Sequence, residues 1–191
     1  MVGDAAVGQV VLLNGVSSSG KSTLARQLLA DVDTPWFHMG VDMFGAMRAE
    51  AQTRDLDEAR LTEVLRRTRA GFHRAVRGMA LAGNNIVMDH VLSEPWRLTD
   101  LLTVMADVDV VFVGVHCDAA VLMEREIARG DRVVGTAAGQ MEPTHNHGLY
   151  DVEVDTSTDD VQACATHIRE YLAHHPAPTL RTFDALRRSR S

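Results

Sequence analysis

The sequence has 191 residues, of which 46% are hydrophobic, so it can bury one sizeable core but is too short for two ordinary domains. A net charge of -7 and a pI near 5.7 argue against a general nucleic-acid binder, which would carry a basic face. The absence of a membrane-length apolar run and of a signal peptide predicts a cytoplasmic protein without membrane contacts, and two isolated cysteines, Cys117 and Cys164, indicate neither disulfides nor a metal site.

Short apolar runs rich in β-branched residues alternate with helical patterns along the chain. We expect strands at residues 8–15, 36–41, 85–91, 108–117 and 150–156. We expect helices at residues 21–30, 42–82 with a break near Thr53, 93–106 with Ser93 as a cap, 119–128 after Asp118 as a cap, and 157–171. This alternation predicts an α/β fold in which a mostly parallel five-stranded sheet is flanked by helices. Residues 1–173 would form one domain, and residues 174–191 a loosely attached C-terminal extension.

Residues 15–22, GVSSSGKS, fit the phosphate-loop pattern G-x-x-x-x-G-K-[ST] and lie between a predicted strand and a predicted helix. In such a loop the glycines let backbone N–H groups surround a phosphate, the lysine reaches the β- and γ-phosphates, and the hydroxyl after it binds Mg²⁺. Lys21 is the only lysine beside eighteen arginines, and we expect its side chain to face solvent until a nucleotide arrives. The predicted nucleotide-binding residues are Gly15, Val16, Ser17, Ser18, Ser19, Gly20, Lys21, Ser22 and Thr23.

The single lysine also bears on which nucleotide is bound. Switch GTPases select guanine with an Asn/Thr-Lys-x-Asp motif, and this chain has no second lysine to supply one. We therefore expect ATP, with Mg²⁺, and a kinase must then supply an acceptor site and a group that takes the hydroxyl proton.

Three aspartates lie at the carboxyl ends of predicted strands, the edge of the sheet where this fold class places its ligands. Asp42 could take the proton of an acceptor hydroxyl or cap the next helix. Asp89 could hold Mg²⁺ together with Ser22, share in substrate binding, or cap a helix. Asp118 is interpreted as a helix cap, because a helical run follows it at once.

The stretch from Arg125 to Arg132 predicts a lid at about residues 129–148. Arginine forks grip phosphoryl oxygens, so Arg129 and Arg132 are candidate catalytic residues; the alternative is a helix end and a surface loop. His145 and His147 give only a weak indication of metal binding, because no third ligand accompanies them.

Several segments together resemble the chloramphenicol phosphotransferase family: LNGVSSSGKS at 13–22, GVD at 40–42, VDVVFVGVHCD at 108–118, REIARGDRVVGTAAGQ at 125–140 and YDVEVDT at 150–156. The resemblance implies a P-loop kinase-like three-layer fold and ATP-dependent phosphorylation of an antibiotic hydroxyl. By position it implies these roles: Asp42 as catalytic base, Lys21 and Ser22 as phosphate and metal contacts, and Arg129 and Arg132 as lid arginines.

The function that follows is transfer of the γ-phosphoryl group of ATP to a hydroxyl of a small molecule, an antibiotic being one candidate. A nucleoside, nucleotide or other metabolite kinase is the alternative among enzymes, and an ATP-binding regulatory module without an acceptor is the alternative of another class. We expect no nucleic-acid or membrane partner, and homo-oligomer formation stays open.

Overall fold

The computed structural model describes residues 6–30, 32–130, 135–177 and 180–190. Its centre is one five-stranded sheet in the order β2-β3-β1-β4-β5. Every strand pair in it is parallel. The strands are β1 Val10–Asn14, β2 Trp36–Gly40, β3 Asn85–His90, β4 Val110–His116 and β5 Val152–Asp155. The predicted α/β class and the parallel five-stranded sheet are confirmed.

The helices are α1 Lys21–Ala30, α2 Val41–Ala46, α3 Glu50–Arg54, α4 Glu58–Leu81, α5 Pro95–Val104, α6 Ala119–Arg129, α7 Thr136–His145, α8 Val161–His174 and α9 Thr182–Arg188. None of these helices is both long and apolar enough to cross a membrane, over the residues that the structure describes.

Two apolar cores lie on opposite faces of the sheet, because side chains of a strand alternate between its faces. Val10 and Leu12 pack with residues of α4, α5 and α9, such as Phe72. Val11 and Leu13 pack with residues of α1 and α8. A sheet buried on both sides gives the three-layer arrangement, and it leaves the carboxyl ends of the strands free to build a site.

Three predicted helices have wrong boundaries. The expected helix over 42–82 is three helices, α2, α3 and α4, and Thr53 lies within α3 rather than at a break. The N-cap of α5 is Glu94 rather than Ser93, and the Ser93 hydroxyl instead accepts a hydrogen bond of 3.1 Å from Arg97 Nη1. The last predicted helix begins later, at Val161, because the Asp160 side chain caps it through the backbone N–H of Ala163 at 2.8 Å. Asp118 is the N-cap residue of α6, as predicted.

The expectation of a loosely attached tail is wrong for residues 180–190. Phe183 and Leu186 of α9 are buried in the core that lies against α4 and α5. Arg181 is 1% exposed, and its guanidinium binds both carboxylate oxygens of Asp109, at 2.8 and 3.1 Å. The tail is therefore anchored by apolar burial and by a two-pronged ion pair next to the start of β4.

We expect Arg181→Ala to destabilise the fold by about 2 kcal/mol, because it leaves the Asp109 carboxylate without its partner in a partly buried site. The midpoint of thermal unfolding should fall by roughly 4–8 °C for a chain of this size. Arg188→Ala, which removes an exposed arginine from the same helix, is the matched control and should change nothing. Equal midpoints for the two variants would show that the Arg181 pair does not anchor the tail.

Candidate active site

The phosphate-loop sequence forms the turn between β1 and α1. A Cβ atom on Gly15 would lie 2.4 Å from the carbonyl oxygen of Val115, so only glycine allows β1 to approach β4 here. Gly20 has φ of 87° and Ser18 has φ of 61°, both in the left-handed region that most side chains avoid. A turn with residues in this region is typical of the glycine-rich loops that bind phosphate groups.

Lys21 is the first residue of α1, and its side chain is only 6% exposed. Its ammonium donates hydrogen bonds to the carbonyl of Val16 at 2.6 Å and to the Ser19 hydroxyl at 3.4 Å. The expectation that this side chain faces solvent is therefore wrong. The loop folds around the ammonium group, and the positive charge is held in place by the loop's own oxygen atoms.

Asp89 lies on β3 opposite Leu13 of β1, beside the phosphate loop. The Ser22 hydroxyl donates a hydrogen bond of 2.6 Å to Asp89 Oδ2, and His38 Nε2 lies 3.7 Å from the same oxygen. Burial raises the pKa of the Asp89 carboxyl, but His38, the charge of Lys21 and the Ser22 hydroxyl outweigh it and lower the pKa below its ordinary value. Asp89 is therefore a carboxylate over the physiological pH range.

The pair of Ser22 and Asp89 fits a magnesium ion, which prefers oxygen ligands and takes only one or two from the protein. Elsewhere in the described ranges, no group of three or more histidine, cysteine or acidic side chains is placed to hold a metal ion. The predicted pair consists of a hydroxyl and a carboxylate in contact with each other, which are oxygen donors of the kind that Mg²⁺ takes.

Asp42 is an exposed residue in the first turn of α2, directly after β2. The N-cap of α2 is Gly40, so the alternative in which Asp42 caps this helix is wrong. The carboxylate lines the same cleft as Lys21 and Ser22. A base that is to accept a proton from a hydroxyl has to reach the cleft in this way.

This cleft has a volume of about 910 Å³. Its lining includes the following residues: Ser17, Ser18, Gly20, Lys21, Ser22, Thr23, His38, Asp42, Met43, Asp89, Val91, Arg125, Thr156 and Asp160. Most of the predicted phosphate-loop residues, both candidate acidic residues and the lysine therefore share one cleft. Gly15, Val16 and Ser19 belong to the same loop but do not line the cleft.

Two contacts of the phosphate loop come from α6 and α7 and were not predicted. The Arg125 guanidinium donates to the carbonyl of Thr156 at 2.7 Å and to the carbonyl of Ser18 at 3.4 Å. The Gln140 side-chain oxygen accepts a hydrogen bond of 3.0 Å from the backbone N–H of Ser17. Both residues lie in the segment that resembles the phosphotransferase family. Arg125 also begins the stretch that predicts the lid and Gln140 lies within the predicted lid, but no local signal indicated either contact.

Glu126 links the end of α6 to the start of α7. It is buried, and its two carboxylate oxygens accept hydrogen bonds of 2.8 Å from the backbone N–H groups of Gly135 and Ala137. The predicted lid is thus in part a helix, α7, whose first turn is capped by a side chain from the preceding helix. Arg129 is the last residue of α6. Its side chain and the whole of Arg132 lie outside the described residues.

The histidines of the predicted weak metal motif are packed against aromatic rings. His145 Nδ1 and the Tyr150 hydroxyl are hydrogen-bonded at 2.7 Å, and the His145 ring stacks on His116 with a centroid distance of 4.3 Å. The ring centroid of His147 is 4.9 Å from that of Phe112. The residues around this pair favour a packing role over metal binding.

Burial of histidines makes stability depend on pH. Burial, with smaller contributions from His116, His147 and Lys21, lowers the pKa of His145 from 6.5 to about 4. Burial also lowers the pKa of His73, and it lowers that of the fully buried His90 well below 6.5. The unfolded chain therefore binds more protons than the folded chain between pH 6.5 and 4, so stability is full above pH 6.5 and is lost as the pH falls.

We expect the unfolding midpoint to fall by about 5 °C or more between pH 7.5 and 5.0, a range above the titration of ordinary carboxylates. In His145→Gln the fall should be smaller, and His167→Gln, at an exposed position, should reproduce the parent curve. A midpoint that stays constant over this range would contradict the assignment of neutral buried histidines.

The chain is similar in sequence to a known protein family and to a named relative. A family profile described as "Chloramphenicol phosphotransferase-like protein" matches residues 8–173. A protein of Mycobacterium tuberculosis strain H37Rv, named "Putative O-phosphotransferase", is 31% identical over 201 residues, which cover 95% of this chain and 88% of that protein.

Two solved kinase structures share the fold. The APS kinase CysC of Mycobacterium tuberculosis, in complex with AMPPNP and APS, has a TM-score of 0.68 at 16% identity, over 87% of this chain and 98% of that chain. A sugar kinase from Janibacter sp. HTCC2649 has a TM-score of 0.61 at 17% identity, over 91% of this chain and 99% of that chain. At these identities the likeness establishes the shared three-layer α/β fold and nothing finer.

Proposed function

We propose a reaction for this chain, which belongs to the chloramphenicol phosphotransferase-like family and is a small-molecule O-phosphotransferase. The chain transfers the γ-phosphoryl group of ATP to a hydroxyl held beside Asp42. The observation that carries the proposal is that the phosphate loop and the exposed Asp42 carboxylate line one cleft of about 910 Å³. Such a cleft can hold a nucleotide at one end and an acceptor at the other.

The acceptor hydroxyl is activated by Asp42. Its carboxylate takes the hydroxyl proton while the hydroxyl oxygen bonds to the γ-phosphorus, and the bond from that phosphorus to the β,γ-bridging oxygen breaks to release ADP. Because α2 directly follows β2, Asp42 is attached to a fixed element of the sheet. This attachment holds the base in position for a bound hydroxyl.

The charge of the transferring group is balanced by residues of the phosphate loop and the lid. Lys21 contacts the β- and γ-phosphate oxygens, and Ser22 with Asp89 would hold Mg²⁺. When bound, the ion would supply positive charge that offsets the negative charge of the phosphates. Arg129 and Arg132 are proposed to grip the γ-phosphoryl oxygens from the lid, where a guanidinium fork can bind two oxygens at once.

A screen of acceptors tests the proposal. ADP formation would be measured with Mg·ATP and a panel of hydroxylated antibiotics including chloramphenicol, nucleosides and sugars, with Lys21→Ala as the blank for contaminating kinases. We expect at least one non-nucleoside acceptor to raise ADP formation about tenfold or more over the acceptor-free rate, and mass spectrometry to find one added phosphoryl group on it.

Two outcomes would redirect the proposal. If only nucleosides or nucleotides were phosphorylated, the chain would be a kinase of that class. If Mg·ATP bound normally but no compound in the panel were phosphorylated, an ATP-binding regulatory module would be favoured, and the role of Asp42 as a base would be wrong.

A further inference from the structure

Three arginines lie near the junction where α2 packs against α4, and we call them the arginine cluster: Arg48 after α2, Arg69 on α4 and Arg97 on α5. None of the three is among the residues that line the cleft, but α2 also carries Asp42, which does. Arg69 interacts electrostatically with Glu94, Arg48 and Asp42, of which Glu94 has the largest effect, and Arg97 interacts with Arg69. Neighbouring positive charges repel one another, so a cluster of this kind requires negative charge nearby.

Arg97 has its partners within the protein. Its guanidinium donates to the carbonyl of Val91 at 2.7 Å and to the Ser93 hydroxyl at 3.1 Å, and it forms an ion pair with Glu94. Arg97 therefore fixes the connection between β3 and α5. Glu94, the acidic residue nearest to the cluster on α5, is already occupied by this pair.

The other two members lack such partners. Arg48 donates from Nε to the carbonyl of Gly45 at 3.0 Å, but its buried Nη1 has no hydrogen-bond partner within the part of the chain that is described. Arg69 is half-buried, and it forms neither a hydrogen bond nor an ion pair with any described residue. Burial lowers the pKa of Arg69, so its surroundings disfavour the charged form.

Other arginines on α3 and α4 have close partners, unlike Arg48 and Arg69. They pair with carboxylates: Arg54 with Glu50, Arg66 with Glu63, and Arg74 with Asp100. A guanidinium stays charged at any physiological pH, and a charge withdrawn from water destabilises a protein unless it is paired. Arg48 and Arg69 thus lack a close ion pair, although the more distant carboxylates of Glu94 and Asp42 act on Arg69. An anionic group bound next to Asp42 would supply a close partner.

We infer that the acceptor carries an anionic oxygen group, a carboxylate, sulfate or phosphate, which Arg48 and Arg69 bind while its hydroxyl reaches Asp42. This inference rests on the proposed function, since it names the acceptor class for the same site. Planar guanidiniums bind such oxyanions in a two-pronged geometry. Apolar parts of the acceptor would contact Met43 and Met47 of the α2 region, of which Met47 is 73% exposed.

A neutral acceptor would not pair the charges of Arg48 and Arg69. An uncharged hydroxyl compound bound here would exclude water from Arg48 and Arg69 without pairing their charges, which weakens binding. An acid of the same shape would pair them. The charges of Arg48 and Arg69 therefore favour acidic over neutral acceptors, a distinction that the fold alone does not make.

The first test measures anion binding without turnover. The phosphate loop would be filled with Mg·AMPPNP, and inorganic sulfate would then be titrated calorimetrically at constant ionic strength. We expect Arg48→Gln and Arg69→Gln each to weaken sulfate binding about tenfold or more. Arg67→Gln, which removes an exposed arginine two residues away on α4, is the matched control and should bind as the parent does. Equal binding by the Arg67 and Arg69 variants would overturn the inference.

The unfolding midpoint separates ligand binding from a structural role. Because Arg69 is an unpaired, half-buried charge, Arg69→Gln should leave the midpoint unchanged or raise it. A fall of several degrees in the ligand-free protein would mean that Arg69 supports the fold, and it would overturn the assignment to ligand binding.

The second test compares acceptors in matched pairs, each a hydroxy acid and its carboxamide. We expect kcat/KM for the acids to exceed that for the amides about tenfold or more in the parent and in Arg67→Gln, and the preference to vanish in Arg69→Gln. Phosphorylation of acids and amides with equal efficiency would overturn the anionic acceptor while the phosphotransferase activity stands. Arginine-dependent sulfate binding without phosphorylation of any acceptor would retain the anion site and overturn the proposed function.

Discussion

Lys21→Ala is expected to lower kcat by about 10³-fold and to leave the fold intact. The ammonium group lies within the phosphate loop, 2.6 Å from the carbonyl of Val16, where it can contact β- and γ-phosphate oxygens during transfer. Removal of one preorganised donor to the developing charge commonly lowers kcat by about 10²–10³-fold, and a full positive charge lies at the upper end of that range. Single-turnover kinetics with saturating Mg·ATP would measure the loss directly.

Lys21→Arg should fail nearly as completely. The Lys21 ammonium donates to the carbonyl of Val16 and to the Ser19 hydroxyl, and the wider planar guanidinium cannot keep both contacts and reach the phosphates in the same geometry. A substitution that keeps the charge but not the activity would show that shape and position matter beyond the sign of the charge. Near-normal kcat in this variant would contradict the structure of the loop as described above.

The strands could be predicted from the sequence because most of them are buried on both faces. β1 and β4 read as continuous apolar runs, since Leu12 and Leu13 face opposite cores and neither face meets water. Helix α1 followed from apolar spacing and from the loop motif before it. These signals are local, and a short stretch of residues is enough to carry them.

Two helices could not be predicted, because their stability depends on distant residues. α7 contains Gly139 and Pro143, which read as loop residues, yet Glu126 of the preceding helix caps its first turn. α9 is short, and it is held by Arg181 through an ion pair with Asp109, 72 positions away. Local propensity contains no information about such partners.

The residues of the site also divide into those that local sequence signals indicate and those that depend on distant contacts. Lys21, Ser22, Asp42 and Asp89 could be selected because each follows a strand or belongs to a motif with a known geometry. The pairing of Arg125 with Thr156, which are 31 positions apart, depends on how α6 crosses the end of β5. Even the orientation of Lys21 was not predictable, since it follows from the close approach of loop oxygens rather than from the motif letters.

Asp42→Asn is expected to retain Mg·ATP binding and to lose phosphoryl transfer, with kcat lower by about 10²–10⁴-fold. The amide keeps the volume and much of the hydrogen bonding of the carboxylate but cannot take the proton of the acceptor hydroxyl. Because Asp42 is exposed in the cleft and lies in the first turn of α2, the change should leave the unfolding midpoint nearly unchanged. Rates at saturating acceptor would separate a loss in kcat from a loss in binding.

Asp89→Asn is the matched comparison, because both aspartates line the cleft but have different surroundings. The Asp89 carboxylate accepts the Ser22 hydroxyl at 2.6 Å, and a neutral amide there should raise the Mg²⁺ concentration needed for half-maximal rate. A base at Asp42 predicts instead that the acidic limb of kcat/KM disappears in Asp42→Asn while its Mg²⁺ requirement is unchanged. If the Asp89 variant lost turnover at saturating Mg²⁺ and the Asp42 variant kept most of it, the base would lie at the end of β3, and the proposed role of Asp42 would have to be abandoned.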